Sequence, residues 1–309
     1  MFMANNQGSM HGVTIVSGDG QGFAGLNLGY TDEQGPLLVR DLEVVGFDLG
    51  VHTATTVASV TFEDITVEHQ NAAGFRNDGQ PCSIRGLRST NSVPAVINNG
   101  GLMTLIDSHL VGTGDTGSAA AITNHAHILV RNTQVAGYST ALDDRTTGAK
   151  LTGNIDEHRS FAPHAPGRPN ATTLNLPIKE TPRPAFDDMS KWVGVQKRDG
   201  ESHAQAIQRA IDSGATTVYL PRGGYTIDDT VEIRGNVRRL MGCKAWISTG
   251  GAVEKGVKPV FRFADGTEPI VVLEGMATGF TSGAWLIEND SPRTLVLSRI
   301  MNNFQGGTG

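Results

Sequence analysis

A short motif recurs about every 22 residues through the first half of this 309-residue chain. Apolar residues flank a central Asp, Gly or Asn, and a second apolar element follows each motif about ten residues later. The unit alternates apolar and polar residues and contains no helix-length segment, which is typical of short strands. Fixed-period self-similarity indicates stacked repeats, so we predict a parallel β-solenoid over residues 1–155. The central residues of the motif are Asp41, Asp64, Gly86, Asp107 and Asn132.

Polar residues recur at one position of the second element, two residues after its apolar anchor. In a solenoid, equivalent positions of successive coils lie above one another, about 4.8 Å apart. Side-chain amides stacked in this way can hydrogen-bond from one coil to the next. We therefore predict a structural polar ladder at Thr53, Asn77, Asn98, Asn124 and Asp144.

The composition changes after the repeats. Six of the 13 prolines fall between Pro163 and Pro184. Proline-rich segments are extended and semi-rigid, because the ring fixes one backbone dihedral angle. We therefore predict that residues 156–198 are a linker between two domains.

A helix signal follows the proline-rich segment. Ser202 and Gln205 fit a capping box, apolar residues then recur at helical spacing, and Gly214 supplies a stop. We predict a short helix over residues 203–213, followed by further strands. Because the first coil of a solenoid exposes unpaired backbone groups and an open core, this helix is expected to cover the start of a second solenoid, residues 199–309.

Composition and charge exclude two classes of partner. A net charge of −6 and a pI near 5.8 lack the basic stripe of a nucleic-acid-binding protein, so no nucleic acid is expected. The sequence has no apolar run of about 18 residues, so no membrane-spanning helix is expected. The two cysteines, Cys82 and Cys243, fit no metal or redox motif; free thiols and no metal site are predicted.

Two segments of the second half resemble a known family pattern. Residues 206–212, Ala-Ile-Gln-Arg-Ala-Ile-Asp, precede residues 218–227, Val-Tyr-Leu-Pro-Arg-Gly-Gly-Tyr-Thr-Ile. This order resembles the opening signature of the pectate-lyase superfamily, whose members are right-handed, single-stranded parallel β-helices. Two such helices joined by a long linker are similar to glycoside hydrolase family 55, β-1,3-glucanases with a cleft between two β-helical domains. The resemblance implies an all-β fold of two right-handed parallel β-helical segments.

The same resemblance implies a function. Members of these families act on polysaccharides, which implies a polysaccharide partner, an extracellular or cell-surface location, and activity as a glycoside hydrolase or polysaccharide lyase. A hydrolase would need no cofactor, whereas a lyase would use Ca²⁺ with an Arg or Lys base. The catalytic glutamate of family 55 matches no position here, so a non-catalytic carbohydrate-binding or adhesive solenoid and a trimeric, phage tailspike-like segment stay open. We also expect the chain to be a piece of a longer two-helix protein.

Two groups of polar residues in the first half are candidate site residues. His52 and Arg76 occupy equivalent positions of successive coils, and Asp78 lies two residues after Arg76. Such a row on one face would suit a sugar-binding groove, in which arginine makes bidentate contacts; the alternative is an ordinary solvated face.

Asp143 and Asp144, followed by Arg145, form the densest acidic cluster. The two carboxylates are candidate catalytic groups and Arg145 a candidate substrate ligand. Adjacent residues of a strand point to opposite faces, however, so the alternative is that they end the last coil and hydrate a turn.

In the second half, Glu288 is a candidate catalytic carboxylate that would lie near a strand end. Trp285 is a candidate substrate ligand, and Trp246 offers the same chemistry, because an indole face packs well on the apolar face of a sugar ring. The alternative is that either tryptophan covers the core.

Overall fold

The computed structural model describes residues 2–3, 5–30, 34–162, 171–280 and 284–304. The chain divides into two compact units, Met1–Leu174 and Asn175–Gly309. In each unit, short parallel strands stack coil upon coil around an apolar core. The predicted all-β fold of parallel β-helical coils is therefore confirmed.

Each coil of the first unit contributes strands to two parallel sheets. One sheet follows the order β1-β3-β5-β7-β10-β13, with β8 and β11 continuing the strands after a corner, and the other follows β2-β4-β6-β9-β12-β14. The strands are β1 (Asn5–Val16), β2 (Ala24–Asn27), β3 (Gly35–Val45), β4 (Leu49–Thr53), β5 (Val60–Glu68), β6 (Ala73–Asp78), β7 (Cys82–Arg85), β8 (Arg88–Asn91), β9 (Val96–Gly100), β10 (Leu102–Ile106), β11 (His109–Gly112), β12 (Ala120–Asn124), β13 (His127–Ala136), β14 (Thr140–Asp144), β15 (Lys150–Leu151) and β16 (Ile155–Arg159).

The repeated motif marks a corner of each coil. All five of its central residues have positive φ, from 49° at Asn132 to 73° at Gly86. Glycine, asparagine and aspartate adopt this left-handed backbone most readily, which explains why the motif is restricted to them. The apolar residues two positions before the corner stack in the core, namely Val39, Phe62, Ile84, Leu105 and Val130.

The predicted polar ladder is present and runs from side chain to side chain inside the first unit. All five of its residues are fully buried. A buried polar group without a partner costs about 1–3 kcal/mol, so the ladder penalises any coil that falls out of register. Its bonds are Thr53 Oγ1 to Asn77 Oδ1 (2.9 Å), Asn77 Nδ2 to Asn98 Oδ1 (3.0 Å), Asn98 Nδ2 to Asn124 Oδ1 (2.8 Å) and Asn124 Nδ2 to Asp144 Oδ1 (2.9 Å).

The last parallel coil of the first unit is followed by a reversal of the chain. β15 pairs antiparallel with β14, and β16 pairs antiparallel with β13. Residues 156–159 of the predicted linker therefore belong to the first unit. At the other end of that range, β17 (Trp192–Gly194) pairs with a strand of the second unit. The described residues between them, 171–188, form no strand or helix.

Among its described residues, the second unit contains ten strands, two short α-helices and one 3-10 helix, Met189–Lys191. Its coils build one large parallel sheet, β17-β18-β21-β23-β25 with β19 and β26, and a smaller sheet, β20-β22-β24. None of these described helices is long and apolar enough to cross a bilayer. The elements after β17 are α1 (His203–Ile211), β18 (Thr217–Leu220), β19 (Gly223–Ile227), β20 (Val231–Gly235), β21 (Arg239–Thr249), α2 (Gly251–Glu254), β22 (Phe261–Gly266), β23 (Ile270–Phe280), β24 (Ile287–Asn289), β25 (Thr294–Ser298) and β26 (Met301–Phe304).

Helix α1 lies over the first full coil of the second core. Its capping box is formed, because Ser202 N donates to Gln205 Oε1 at 2.9 Å and Gln205 N donates to Ser202 Oγ at 3.3 Å. The apolar face of the helix packs on β18, β19 and β20, the strands of the first full coil. The residues of that face are Ala204, Ala206, Ile207, Ala210 and Ile211.

We expect the substitution Asn98→Ala to lower the free energy of unfolding by about 2–4 kcal/mol, because it removes two bonds of the buried ladder and leaves a small void. Denaturant titration of the whole chain measures this loss. Asn99→Ala is the matched control, since Asn99 is the next residue but is exposed and makes one side-chain bond. Equal effects of the two substitutions would contradict a stabilising role for the ladder.

Candidate functional site

One outward-facing column of the first unit contains three of the eight predicted site residues, namely His52, Arg76 and Asp143. The register of the β2-β4-β6-β9-β12-β14 sheet places one residue of each coil directly above the next. At a coil spacing of about 4.8 Å, three steps of the column span roughly 14 Å. We call this column the axial strip; its members are Asn27, His52, Arg76, Ile97, Thr123 and Asp143.

A hydrogen-bonded cluster occupies one end of the axial strip. His52 Nε2 lies 2.9 Å from Asp78 Oδ2, and His52 Nδ1 lies 3.1 Å from Asn27 Oδ1. Arg76 Nε donates to Asp78 Oδ1 at 3.0 Å, and Asn99 Nδ2 donates to the same oxygen at 2.7 Å. The structure therefore brings together His52, Arg76 and Asp78, as the sequence predicts.

His52 is held firmly and is largely covered. Both partners of its ring are acceptors, because Asn27 Oδ1 also accepts the backbone N–H of Gly29 at 3.0 Å. A Cβ at Gly29 would stand 2.5 Å from His52 Cε1, so glycine makes the room that the ring occupies. With 12% of its side chain exposed, His52 positions Asp78 rather than meeting a ligand itself.

Arg76 presents a fixed and accessible guanidinium. Its side chain is 42% exposed, and Asp78 anchors it through Nε. Among the described residues, its two terminal nitrogens have no hydrogen-bond partner. Burial raises the pKa of Asp78, but hydrogen bonds from Asn99, Arg76 and His52 outweigh that effect and hold the pKa below its ordinary value. Asp78 is thus ionised when it anchors the guanidinium.

The other end of the axial strip carries a second charged cluster. Asp143 forms an ion pair with Arg145, whose Nη2 lies 2.5 Å from Asp143 Oδ2. Lys150 Nζ lies 3.8 Å from the same oxygen. Lys150 reaches this point because β15 pairs antiparallel with β14 and sets it opposite Asp143. Two exposed cations therefore surround one nearly buried carboxylate.

Asp144 points inward, as the alternation along a strand requires, and closes the polar ladder. Its side chain has 0% exposure and accepts from Asn124, Thr146, Thr147 and His158, the last at 2.8 Å. A carboxylate out of reach of solvent and saturated with donors has a structural role here. The catalytic role of Asp144 stays a prediction.

The remaining predicted site residues lie in the second unit. Glu288 Oε2 accepts from Arg262 Nε at 2.8 Å, and Asp290 Oδ2 lies 3.7 Å from the same nitrogen. Arg262 also lies 3.8 Å from Glu232, the equivalent residue of the previous coil. Trp285 is 40% exposed and lies outside the strands. The catalytic role of Glu288 and the substrate-binding role of Trp285 stay predictions.

Several residues of these clusters are not predicted from the sequence. Asn27 carries a usable signal, because it is the equivalent of His52 one coil earlier. Asn99 reaches Asp78 through a register shift after Asn77, which an ideal repeat does not show. Lys150 lies opposite Asp143 because the chain reverses its direction between β14 and β15. Phe23, whose ring packs edge-on against His52 at 5.2 Å and is itself exposed, lies in a loop before the first recognisable second element.

Comparisons with known proteins add no family to this description: no protein-family model and no curated protein matches the chain. Within the described ranges, no group of three or more His, Cys, Asp or Glu side chains could hold a metal ion. The fold thus defines the chain as a parallel β-helical protein. The charged clusters on its surface are the features that bear on its function.

The burial and bonding of Asp144 predict an acid sensitivity of the first unit. Burial raises the pKa of Asp144, but its bonds from His158, Asn124 and Thr146 prevail and lower it strongly. Because the pKa is lower in the folded than in the unfolded chain, ionised Asp144 stabilises the fold above about pH 5, and this stabilisation is lost as the pH falls below about 4.

We expect Asp144→Asn to flatten the dependence of the unfolding free energy on pH between about 5 and 2, with a loss of about 1–3 kcal/mol at pH 7. Urea titrations at a series of pH values measure both effects. Asp115→Asn, at an exposed loop residue, is the control. A pH dependence of Asp144→Asn that matches the wild type would refute this origin of the acid sensitivity.

Proposed function

We propose that this protein binds an acidic polysaccharide along the axial strip of its first unit, and that the uronate carboxylates are recognised by Arg76 and Arg145. The single observation that carries the proposal is the Arg76 guanidinium, fixed through Nε by Asp78 and open to solvent at its other two nitrogens. A planar fork with free donors is the group that best matches a carboxylate.

The charge of the axial strip favours an anionic ligand. The whole chain has a net charge of −6, yet three cations, Arg76, Arg145 and Lys150, are exposed along this column. The two carboxylates on or beside it, Asp78 and Asp143, are engaged by those cations and by His52. A positive row on an acidic protein attracts an acidic ligand to one face.

The repeat itself favours a linear polymer over a small ligand. Arg76 and Asp143, the partner of Arg145, are three coil steps apart, roughly 14 Å at about 4.8 Å per step. Ile97 and Thr123 lie between them and leave no large side chain across the path. The exposed ring of Phe23 adds an apolar surface at the end that carries His52. An extended chain of sugars fits such a row.

The axial strip supports recognition better than hydrolysis. Glycosidases place two carboxyl groups about 5–9.5 Å apart on either side of the bond that they cleave. The strip contains one carboxylate, Asp143, and the other nearby carboxylate, Asp78, lies beside Arg76 on a coil three steps away, roughly 14 Å. Cleavage by a hydrolase or lyase, a place in the pectate-lyase superfamily and an extracellular location are therefore proposals that rest on the resemblance of residues 206–227.

We expect Arg76→Ala to weaken the binding of polygalacturonate oligomers about 10- to 100-fold, because a hydrogen-bonded pair with a charged group contributes about 1.5–3 kcal/mol. Isothermal titration calorimetry measures the dissociation constant, and added salt should weaken wild-type binding. Arg88→Ala is the matched control, since Arg88 is an exposed arginine on the other sheet of the same unit.

Equal affinities for the wild type and Arg76→Ala would refute the axial strip as the binding site. The same samples report on turnover, through new reducing ends or through the ultraviolet absorbance of unsaturated products. Binding without either product makes the protein a carbohydrate-binding solenoid, whereas product release makes it an enzyme whose carboxylates lie elsewhere than the strip.

A further inference from the structure

Trp246 lies on the outer face of the large sheet of the second unit. Its neighbours in β21, Ala245 and Ile247, are buried in the core, while the indole points outward and is 41% exposed. In register with it are Gly224 of the previous coil and Ala277 of the next. A single large aromatic residue thus stands among small ones on a flat sheet surface.

The ring has a defined place on that surface. A Cβ built on Gly279 would stand 2.5 Å from Trp246 Cζ2 and 3.1 Å from Cε2, so the indole occupies the space directly above Gly279. Gly279 lies in the next coil, in register with Ser248. The indole therefore leans over β23, and the glycine beneath it makes this position available.

Two hydroxyl groups lie two positions along the strands from Trp246 and its register partner Gly224, on the same face of the sheet. The hydroxyl groups of Thr226 and Ser248, which are in register on neighbouring coils, lie 3.2 Å from each other. Within the described part of the chain, the indole N–H of Trp246 has no acceptor, whereas Trp192 Nε1 donates to Asp187 O at 3.1 Å. An exposed aromatic face with a free donor and two hydroxyls beside it matches the mixed apolar and polar surface of a sugar ring.

We propose that Trp246 is a stacking platform for a pyranose ring, with Thr226, Ser248 and the indole N–H as hydrogen-bonding partners for its hydroxyl groups. This is a second sugar-binding site, on the second unit. The inference rests on the proposed function in that it assigns a ligand of the same chemical class, but it uses none of the residues of the axial strip.

The test compares four substitutions in the whole chain. Trp246→Ala removes the platform, and Gly279→Ala retains the indole but places a methyl group where the ring lies. Leu297→Ala is the control for an exposed apolar residue of the same sheet, since Leu297 lies in β25 and is 53% exposed. Trp192→Phe is a control for a tryptophan at another place, since the indole N–H of Trp192 already donates to Asp187 O. Hexagalacturonate and cellohexaose are the probes, and binding is followed by calorimetry and by tryptophan fluorescence.

We expect at least one probe to quench the tryptophan fluorescence of the wild type. Trp246→Ala should abolish that quenching and weaken binding about five- to tenfold, and Gly279→Ala should weaken it in the same direction. Leu297→Ala and Trp192→Phe should leave the quenching and affinity unchanged. Equal denaturation midpoints for Gly279→Ala and the wild type exclude unfolding as the cause.

Two results would overturn the platform: quenching that survives in Trp246→Ala, or quenching by neither probe in the wild type. The outcome of this test can be distinguished from the outcome of the Arg76→Ala test of the axial strip. If Arg76→Ala weakens binding and Trp246→Ala does not, the platform fails and the proposed function stands. If Trp246→Ala weakens binding and Arg76→Ala does not, the platform stands and the axial strip fails.

Discussion

The buried ladder of amide side chains is the interaction on which the first unit depends. Each step joins one coil to the next inside the core, where a missing partner costs about 1–3 kcal/mol. A strand that slips by one residue would turn its asparagine outward and its apolar neighbours with it. The ladder therefore fixes the register of the coils, and Asp144 ends it with an ionised acceptor.

The surface chemistry follows from the same register. Because the coils cannot slip, a residue on the outer face of one coil stands above its equivalent on the next, so charges far apart in the chain form a row. Arg76 and Asp143 share a column although 67 residues separate them. In the second unit Trp246 stands in register with Ala277 of the next coil, and its indole leans over Gly279, two residues further along that strand. Both surfaces suit a ligand that is itself a repeating chain.

Much of the fold and of the axial strip could be predicted from the sequence because the first unit is periodic. The period alone yields the ladder and the proximity of His52, Arg76 and Asp78. Predictions fail where the period is broken. The burial of Asp144 with His158 and the approach of Lys150 depend on a chain reversal that no repeat announces. In the second unit, unequal coils hide the approach of the Trp246 ring to Gly279, since register partners there are not evenly spaced.

The most direct test is nuclear magnetic resonance of the isotope-labelled chain during titration with hexagalacturonate. Binding along the axial strip predicts chemical-shift changes at one outward position in each successive coil, from Arg76 through Ile97 and Thr123 to Asp143, with little change on the sheet that carries Arg88. Changes confined to that other sheet, or a scattered pattern that skips coils, would contradict a ligand site built by the stacking of equivalent residues.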